Sequence, residues 1–363
     1  MSDFKPGLEG VVAFETEIAE PDREGGALRY RGVDIEELVG VVPFEKVWGL
    51  LVDDSFEPGM PRAEAYRLER PTSKVMADLQ GATANLSALW GLGQLIDISD
   101  DQARDDLGRL SATMISVVAQ SARGRRDPVP ASVIDDGETT AERFLLEWRG
   151  EADPVHVTAV DNYFVSAAEH GMNASTFTAR TVASTGADCG ASMSAAVGAL
   201  SGPLHGGAPT RVLRMLDEVA ASGDAEGYVK ALLDRGERLM GFGHRVYRAE
   251  DPRARVLRRT ARDLGSERFE VAEELERVAL AELHARHPER VLATNVEFWS
   301  AVVLDVADVP PQLAPAMFAC SRTAGWSAHV LEQKRLGRLV RPSARYVGPG
   351  PRSLDDLSAA SAS

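Results

Sequence analysis

Residues 241–253 read Gly241-Phe-Gly-His-Arg-Val-Tyr-Arg-Ala-Glu-Asp-Pro-Arg253. His244 stands in a glycine-flanked loop, with Arg245, Arg248 and Arg253 close behind it. Glycine lets a backbone approach a ligand closely and adopt φ > 0. Imidazole exchanges a proton near neutral pH, and guanidinium forks match carboxylates and phosphates. The segment therefore joins proton chemistry to anion recognition, as a small polycarboxylate substrate would require.

Outward from this loop the chain reads as helices. From Asp34 onward apolar residues recur at helical spacing, as in Ile35-Leu38-Val39-Val42, Leu107-Leu110-Met114-Val117-Val118 and Val212-Leu213-Leu216-Val219. Before it, "GVVAFETEIAE" and "ALRYRGVDI" predict a small β-hairpin. Pro and Gly punctuate the chain near 57–61, 124–132, 202–209 and 308–315. The expectation is an all-α protein. Hinges at 202–207 and 308–315 would set off a small domain, 207–308, from a large one made of 1–206 and 309–363. The tail from about residue 353, "SLDDLSAASAS", reads as disordered.

A chain of 363 residues is long enough for two domains. Its formal net charge of −15 argues against nucleic acid, whose phosphates call for a basic surface. An anionic substrate must instead be drawn in by local arginines. Cys189 and Cys320 cannot make a disulfide framework, which suits the reducing cytoplasm. No apolar run approaches the roughly 20 residues that span a bilayer, and "MSDFKPGLEG" does not read as a secretory leader.

His170, in "AAEHGMNAST", follows a helix end marked by Gly171 and Asn173, and Ser175 could cap the next helix. His205, in "SGPLHGGAPTRVLRML", precedes a helix that should begin at Pro209, whose dipole would disfavour imidazolium. A neutral imidazole can donate to a developing enolate. For His170, His205 and His244 the alternative is a structural histidine bonded to loop carbonyls. His284 and His287 read as surface residues, and His156 and His329 have no supporting motif.

Glu297 lies in the apolar run "ATNVEFWSAVVL", where a carboxylate should have a raised pKa and could act as a general base. A helix-start charge or a buried ion pair would read the same. Arg322, in an apolar helix pattern, needs an anion, either substrate or a structural Asp/Glu. Arg341 precedes a proline in an extended segment. Metal-binding pairs and phosphate-binding glycine loops are missing, so neither a metal nor a nucleotide cofactor is expected.

Taken in order, "GPLHGGAP", "GFGHRVYRAEDPR", "NVEFWSA", "RTAGWSAHVLEQ" and "RPSARYVGP" resemble the citrate synthase family, in the short bacterial form that includes 2-methylcitrate synthases. The resemblance implies a two-domain all-α homodimer that condenses acetyl-CoA with oxaloacetate and hydrolyses the thioester, without a cofactor. It implies that His205 stabilises the enol, that His244 serves the oxaloacetate carbonyl and that Glu297 is the base. His170, Arg253 and Arg322 would hold oxaloacetate, with Arg341 contributed by the partner subunit. Arg248 would face CoA phosphates, with Gly241, Phe242, Gly243 and Asn295 on the same side. The chain departs from the usual pattern at Glu297 (for Asp), Trp299 (for Tyr), Ala301 (for Gly) and Pro209-Thr210 (for Asn-Glu). Propionyl-CoA in place of acetyl-CoA, or a catalytically impaired binding paralogue, are the alternatives.

Overall fold

The computed structural model describes residues 4–8, 10–22, 26–203, 205, 209–243, 250–290 and 292–353. Three short strands, β1 (Ala19–Asp22), β2 (Ala27–Tyr30) and β3 (Val33–Asp34), pair antiparallel in that order, with Ala19 opposite Tyr30 and Tyr30 opposite Val33. The expected hairpin is present, but residues 11–18 stay out of it. Their partners lie elsewhere: Phe14 packs edge-on against Phe177 at 5.9 Å, and the Glu332 carboxylate takes the Thr16 hydroxyl and the Glu17 N–H, each at 3.1 Å.

Fifteen α-helices follow among the described residues. The first nine are α1 (Ile35–Leu38), α2 (Phe44–Asp53), α3 (Val75–Trp90), α4 (Asp100–Arg123), α5 (Ala131–Asp135), α6 (Thr140–Arg149), α7 (Pro154–Ala167), α8 (Ala174–Ala183) and α9 (Cys189–Leu200). The rest are α10 (Pro209–Ser222), α11 (Ala225–Asp234), α12 (Pro252–Asp263), α13 (Phe269–Arg286), α14 (Val296–Val306) and α15 (Ala314–Leu336). The Pro/Gly breaks fall between helices, and Pro209 opens α10 as its sequence position predicts. The apolar pattern from Ile35 to Val42 does not make one helix. Val39 is already extended and Gly40 has φ 81°, so α1 stops at Leu38.

Helix α15 is the axis of the fold, packed against α2, α4, α7, α8 and α9. Helices α12 and α14 lean on α7, which seats the 250–306 region on this framework. Tyr30 brings the sheet to the same place. Its hydroxyl lies 3.2 Å from the carbonyls of Val165, Ser166 and Glu169 and accepts the Glu169 N–H at 3.3 Å. Helix ends leave such carbonyls unsatisfied, so one phenol closes α7 and fixes the turn that carries His170. Among the described residues no helix is long and apolar enough to cross a membrane. The predicted disordered tail falls on residues 354–363, outside those described, apart from an extended start.

One buried carboxylate makes the fold pH-sensitive. Burial raises Glu147 from 4.5 to about 7, although Ser116 donates to it at 2.8 Å. The unfolded chain loses this proton near 4.5 and the folded chain near 7, so the group's contribution to stability falls as pH rises between the two. At about 1.4 kcal/mol per pH unit, the penalty above neutrality is on the order of 3 kcal/mol. Glu147→Gln should therefore raise the thermal midpoint at pH 8 and leave it nearly unchanged at pH 4.5. Calorimetry showing the reverse order would refute this assignment.

Candidate active site

The glycine loop is fastened to the start of α14. Gly243 N–H donates to Ala293 O at 2.7 Å, and Asn295 N–H donates to Gly241 O at 2.9 Å, around a bridge between Phe242 and Thr294. The Asn295 side chain works at both ends: its Nδ2 donates to Gly243 O at 3.0 Å and its Oδ1 accepts the Glu297 N–H at 3.0 Å. Asn295 is thus the N-cap of α14 and the clasp of the loop. Gly241 and Gly243 both have positive φ, 87° and 85°. His244, Arg245 and Arg248, the residues this loop delivers, lie outside those described.

Asp251, the N-cap of α12, organises the next residues. Its carboxylate holds Arg253 in a fork, from Nε to Oδ1 at 3.0 Å and from Nη2 to Oδ2 at 2.8 Å. Oδ2 also accepts the Val296 N–H at 3.1 Å. Arg253 and the helix of Glu297 therefore share one buried anion. Sequence reasoning passed over Asp251, although Asp-Pro at a helix start is a legible cap signal.

Arg322 is also buried, as its place in an apolar helix predicts. Its Nε donates to Ala167 O at 3.1 Å, and its guanidinium lies 4.7 Å from the Phe318 ring. The Phe318 ring also neighbours His205 in an edge-type contact, with ring centroids 6.3 Å apart. Arg253 and Arg322 are near enough to repel, and burial together with that repulsion lowers the pKa of Arg322. Two buried guanidiniums thus lie within each other's field.

Burial, reinforced by Arg322, lowers His205 to about 4. The neutral state is as expected, with burial and Arg322 as its causes. Ser175 presents its backbone N–H to Nε2 at 3.4 Å and its hydroxyl at 2.9 Å. That amide belongs to the first turn of α8, whose N-cap is Asn173 and not Ser175. An amide N–H only donates, so the tautomer that uses it leaves the ring proton on Nδ1. Trp326 Nε1 secures the Ser175 hydroxyl at 3.2 Å.

Glu297 is mostly buried in the first turn of α14. Burial raises its pKa, partly offset by Arg253 and reinforced by Asp251. Both the expected helix-start position and the expected raised basicity are present. His170 is buried on the turn after α7. Arg341 lies on an exposed extended arm and makes no hydrogen bond or ion pair with the described residues. One chain alone thus assembles Glu297, Arg253, Arg322 and His205, and leaves Arg341 apart. Beside the loop, a hollow of about 340 Å³ is lined by Glu250, Leu280, His284, Arg290, Leu292 and Thr294. No group of three His, Cys, Asp or Glu among the described residues is placed to hold a metal ion.

A family model described as "Citrate synthase, C-terminal domain" matches residues 7–343. A putative citrate synthase 2 of Mycobacterium tuberculosis is 63% identical over 357 residues, covering 98% of this chain and 96% of its own. A 2-methylcitrate synthase of Shewanella oneidensis is 32% identical, covering 98% of both. The solved citrate synthase of Thermoplasma acidophilum, in a ternary complex with carboxymethyl coenzyme A and oxaloacetate, superposes with a TM-score of 0.81. That match has 26% identity and covers 97% of this chain and 98% of the other.

The two loop glycines are not equivalent. A Cβ at Gly241 would lie 2.7 Å from Phe298 Cβ, whereas one at Gly243 would meet only Leu292 Cδ2 at 3.4 Å. Gly243→Ala should cost about 1–2 kcal/mol for its left-handed backbone alone. Gly241→Ala should add roughly 1–3 kcal/mol of overpacking. Urea unfolding of the two variants would expose an error if they proved equally stable.

Proposed function

The chain belongs to the citrate synthase family, and we propose that it condenses acetyl-CoA with oxaloacetate and water to give citrate and CoA. The observation that carries this reading is the pairing of a carboxylate of raised pKa with an imidazole of lowered pKa around two buried arginines. Glu297 removes a proton from the thioester methyl group, and His205 Nδ1–H donates to the oxygen as the enol forms. The enol carbon then attacks the oxaloacetate ketone, polarised and protonated by His244. Water cleaves the resulting thioester, releasing citrate and CoA. His170, Arg253 and Arg322 clamp the oxaloacetate carboxylates. Arg248, with Gly241, Phe242, Gly243 and Asn295, lines the CoA side. All of these steps use side chains, with acetyl-CoA as co-substrate.

Arg341 acts, on this reading, from the partner subunit of a homodimer. In support, the arm of residues 337–353 is exposed and carries Leu339, Tyr346 and Val347 outward, the last two at 78% and 84% exposure. Residues 207–308 move as a small domain over the large one, shielding the intermediate from water. The buried free thiols of Cys189 and Cys320 suit the cytoplasm.

Glu297 also bears on the acyl group. The backbone at its helix start is pinned by Asn295, by Asp251 and by the glycine loop. The methylene that distinguishes it from the family's aspartate must therefore extend into the cleft, which favours acetyl-CoA over propionyl-CoA.

Purified protein with oxaloacetate should release CoA thiol faster from acetyl-CoA than from propionyl-CoA, and no release from either would overturn the reading. Glu297→Gln should lower kcat by about 10²–10⁴-fold, the usual worth of a general base. A protonated Glu297 cannot accept, so the rate should fall with decreasing pH along a limb lying above 4.5, the ordinary carboxylate value. A limb at or below 4.5 would show that another group is the base.

A further inference from the structure

We propose that Glu169 is a positioning residue of the oxaloacetate pocket: a buried carboxylate, docked against α15 between Arg322 and His329, that fixes Arg322 and the adjoining His170 for substrate. This role rests on the reading that the pocket takes oxaloacetate.

Glu169 is fully buried, and its side chain lies against the backbone of α15. A Cβ at Gly325 would fall 2.0 Å from Glu169 Oε2, so only glycine admits the carboxylate there. Gly325 N–H donates to Ala168 O at 3.1 Å, which holds the two segments together. Arg322 stands one turn before this contact and His329 one turn after it, on the same face of the helix.

The charges form a chain. His329 Nε2 is 3.3 Å from Glu169 Oε1, and its Nδ1 is 3.0 Å from Arg180 Nη1. Arginine only donates, so Nδ1 accepts and the ring proton sits on Nε2, facing Glu169. Arg180, itself fully buried, also donates to Gln333 Oε1 at 3.0 Å and pairs with Glu332. Glu332 in turn holds Thr16 and Glu17 of the N-terminal segment.

Burial alone would raise the pKa of Glu169, but His329, Arg322 and the backbone N–H of His170 outweigh it and hold the group below its ordinary value. Even so, neither carboxylate oxygen has a well-aligned hydrogen bond among the described residues. The carboxylate is thus held mainly by the groups that surround it, Arg322, the His329 ring and the His170 N–H. It serves here as the counter-charge that Arg322 keeps when no substrate carboxylate is present.

Glu169→Gln preserves the shape against Gly325 and removes the charge. It should raise the KM for oxaloacetate roughly tenfold or more, because Arg322 and His170 lose the carboxylate that fixes them in place for substrate. The KM for acetyl-CoA should hold, while the thermal midpoint falls, because Arg322 is left buried without that counter-charge. Glu169→Asp, which keeps the charge, should recover part of the loss. His329→Gln should act in the same direction, and the double variant should be no worse than Glu169→Gln alone, since the residues act through one another. An unchanged oxaloacetate KM would overturn the role, as would parallel rises in both KM values, or strictly additive effects. If Glu169→Gln does not fold, His329→Gln decides by the same split of KM values. A wild type without oxaloacetate-dependent CoA release refutes the reading of the pocket and this role with it. A competent wild type beside an unaltered Glu169→Gln refutes the role alone.

Discussion

Two guanidinium groups have been taken out of water within reach of each other, and much of the site follows from what that requires. A buried cation is tolerated only with an anion close by. Arg253 has Asp251, which grips it in a fork and also accepts the Val296 N–H. The same carboxylate caps α12. One anion therefore fixes the arginine, the helix that follows it and the helix that bears Glu297. Arg322 has no such dedicated fork among the described residues. Its field reaches both His205 and Glu169, so its charge shapes two groups on separate segments of the chain.

The same desolvation acts in opposite directions on the two groups that would handle protons. Burial penalises the charged form of any group, so it raises a carboxylate and lowers an imidazole. Glu297 becomes more basic and His205 less so. Enol formation needs that combination: a base with an appetite for a carbon-bound proton, and a neutral donor that does not have to lose a proton to water first. Arg253 limits how far Glu297 can rise, while Arg322 pushes His205 further down. The arginines that would bind the substrate thus also tune the acid and the base.

Local signals in the sequence were legible where the physics is local. Pro209 opens a helix, Gly171 takes a positive φ, and Glu297 sits in an apolar helix start. Helical periodicity located α4 and α10, but it overran α1, where an extended Val39 and Gly40 stop the helix. His205 is neutral as its sequence context suggests, but burial and Arg322 lower its pKa, neither of which a local pattern displays. The amide that meets it comes from α8, thirty residues away in sequence, and not from the helix it precedes. His329 showed no motif at all, because its partners Arg180 and Glu169 are separated from it by 149 and 160 positions. Spacing patterns report what one helix presents, and they are silent about which distant segment will face it.

Helix α15 shows why such long-range partners matter. It is buried along most of its length, so its sequence has to be apolar on nearly every side. Against that demand, Arg322, Gly325, His329 and Glu332 recur at i, i+3, i+7 and i+10, a polar seam through the middle of the fold. Apolar side chains of similar volume could have filled the same space at equal or better stability. Packing alone therefore does not account for the seam. What it provides is a row of charges whose positions are fixed by one rigid helix, with the anion pocket at one end and the N-terminal segment at the other. A site that must hold two carboxylates against a net charge of −15 gains more from such fixed geometry than from added core.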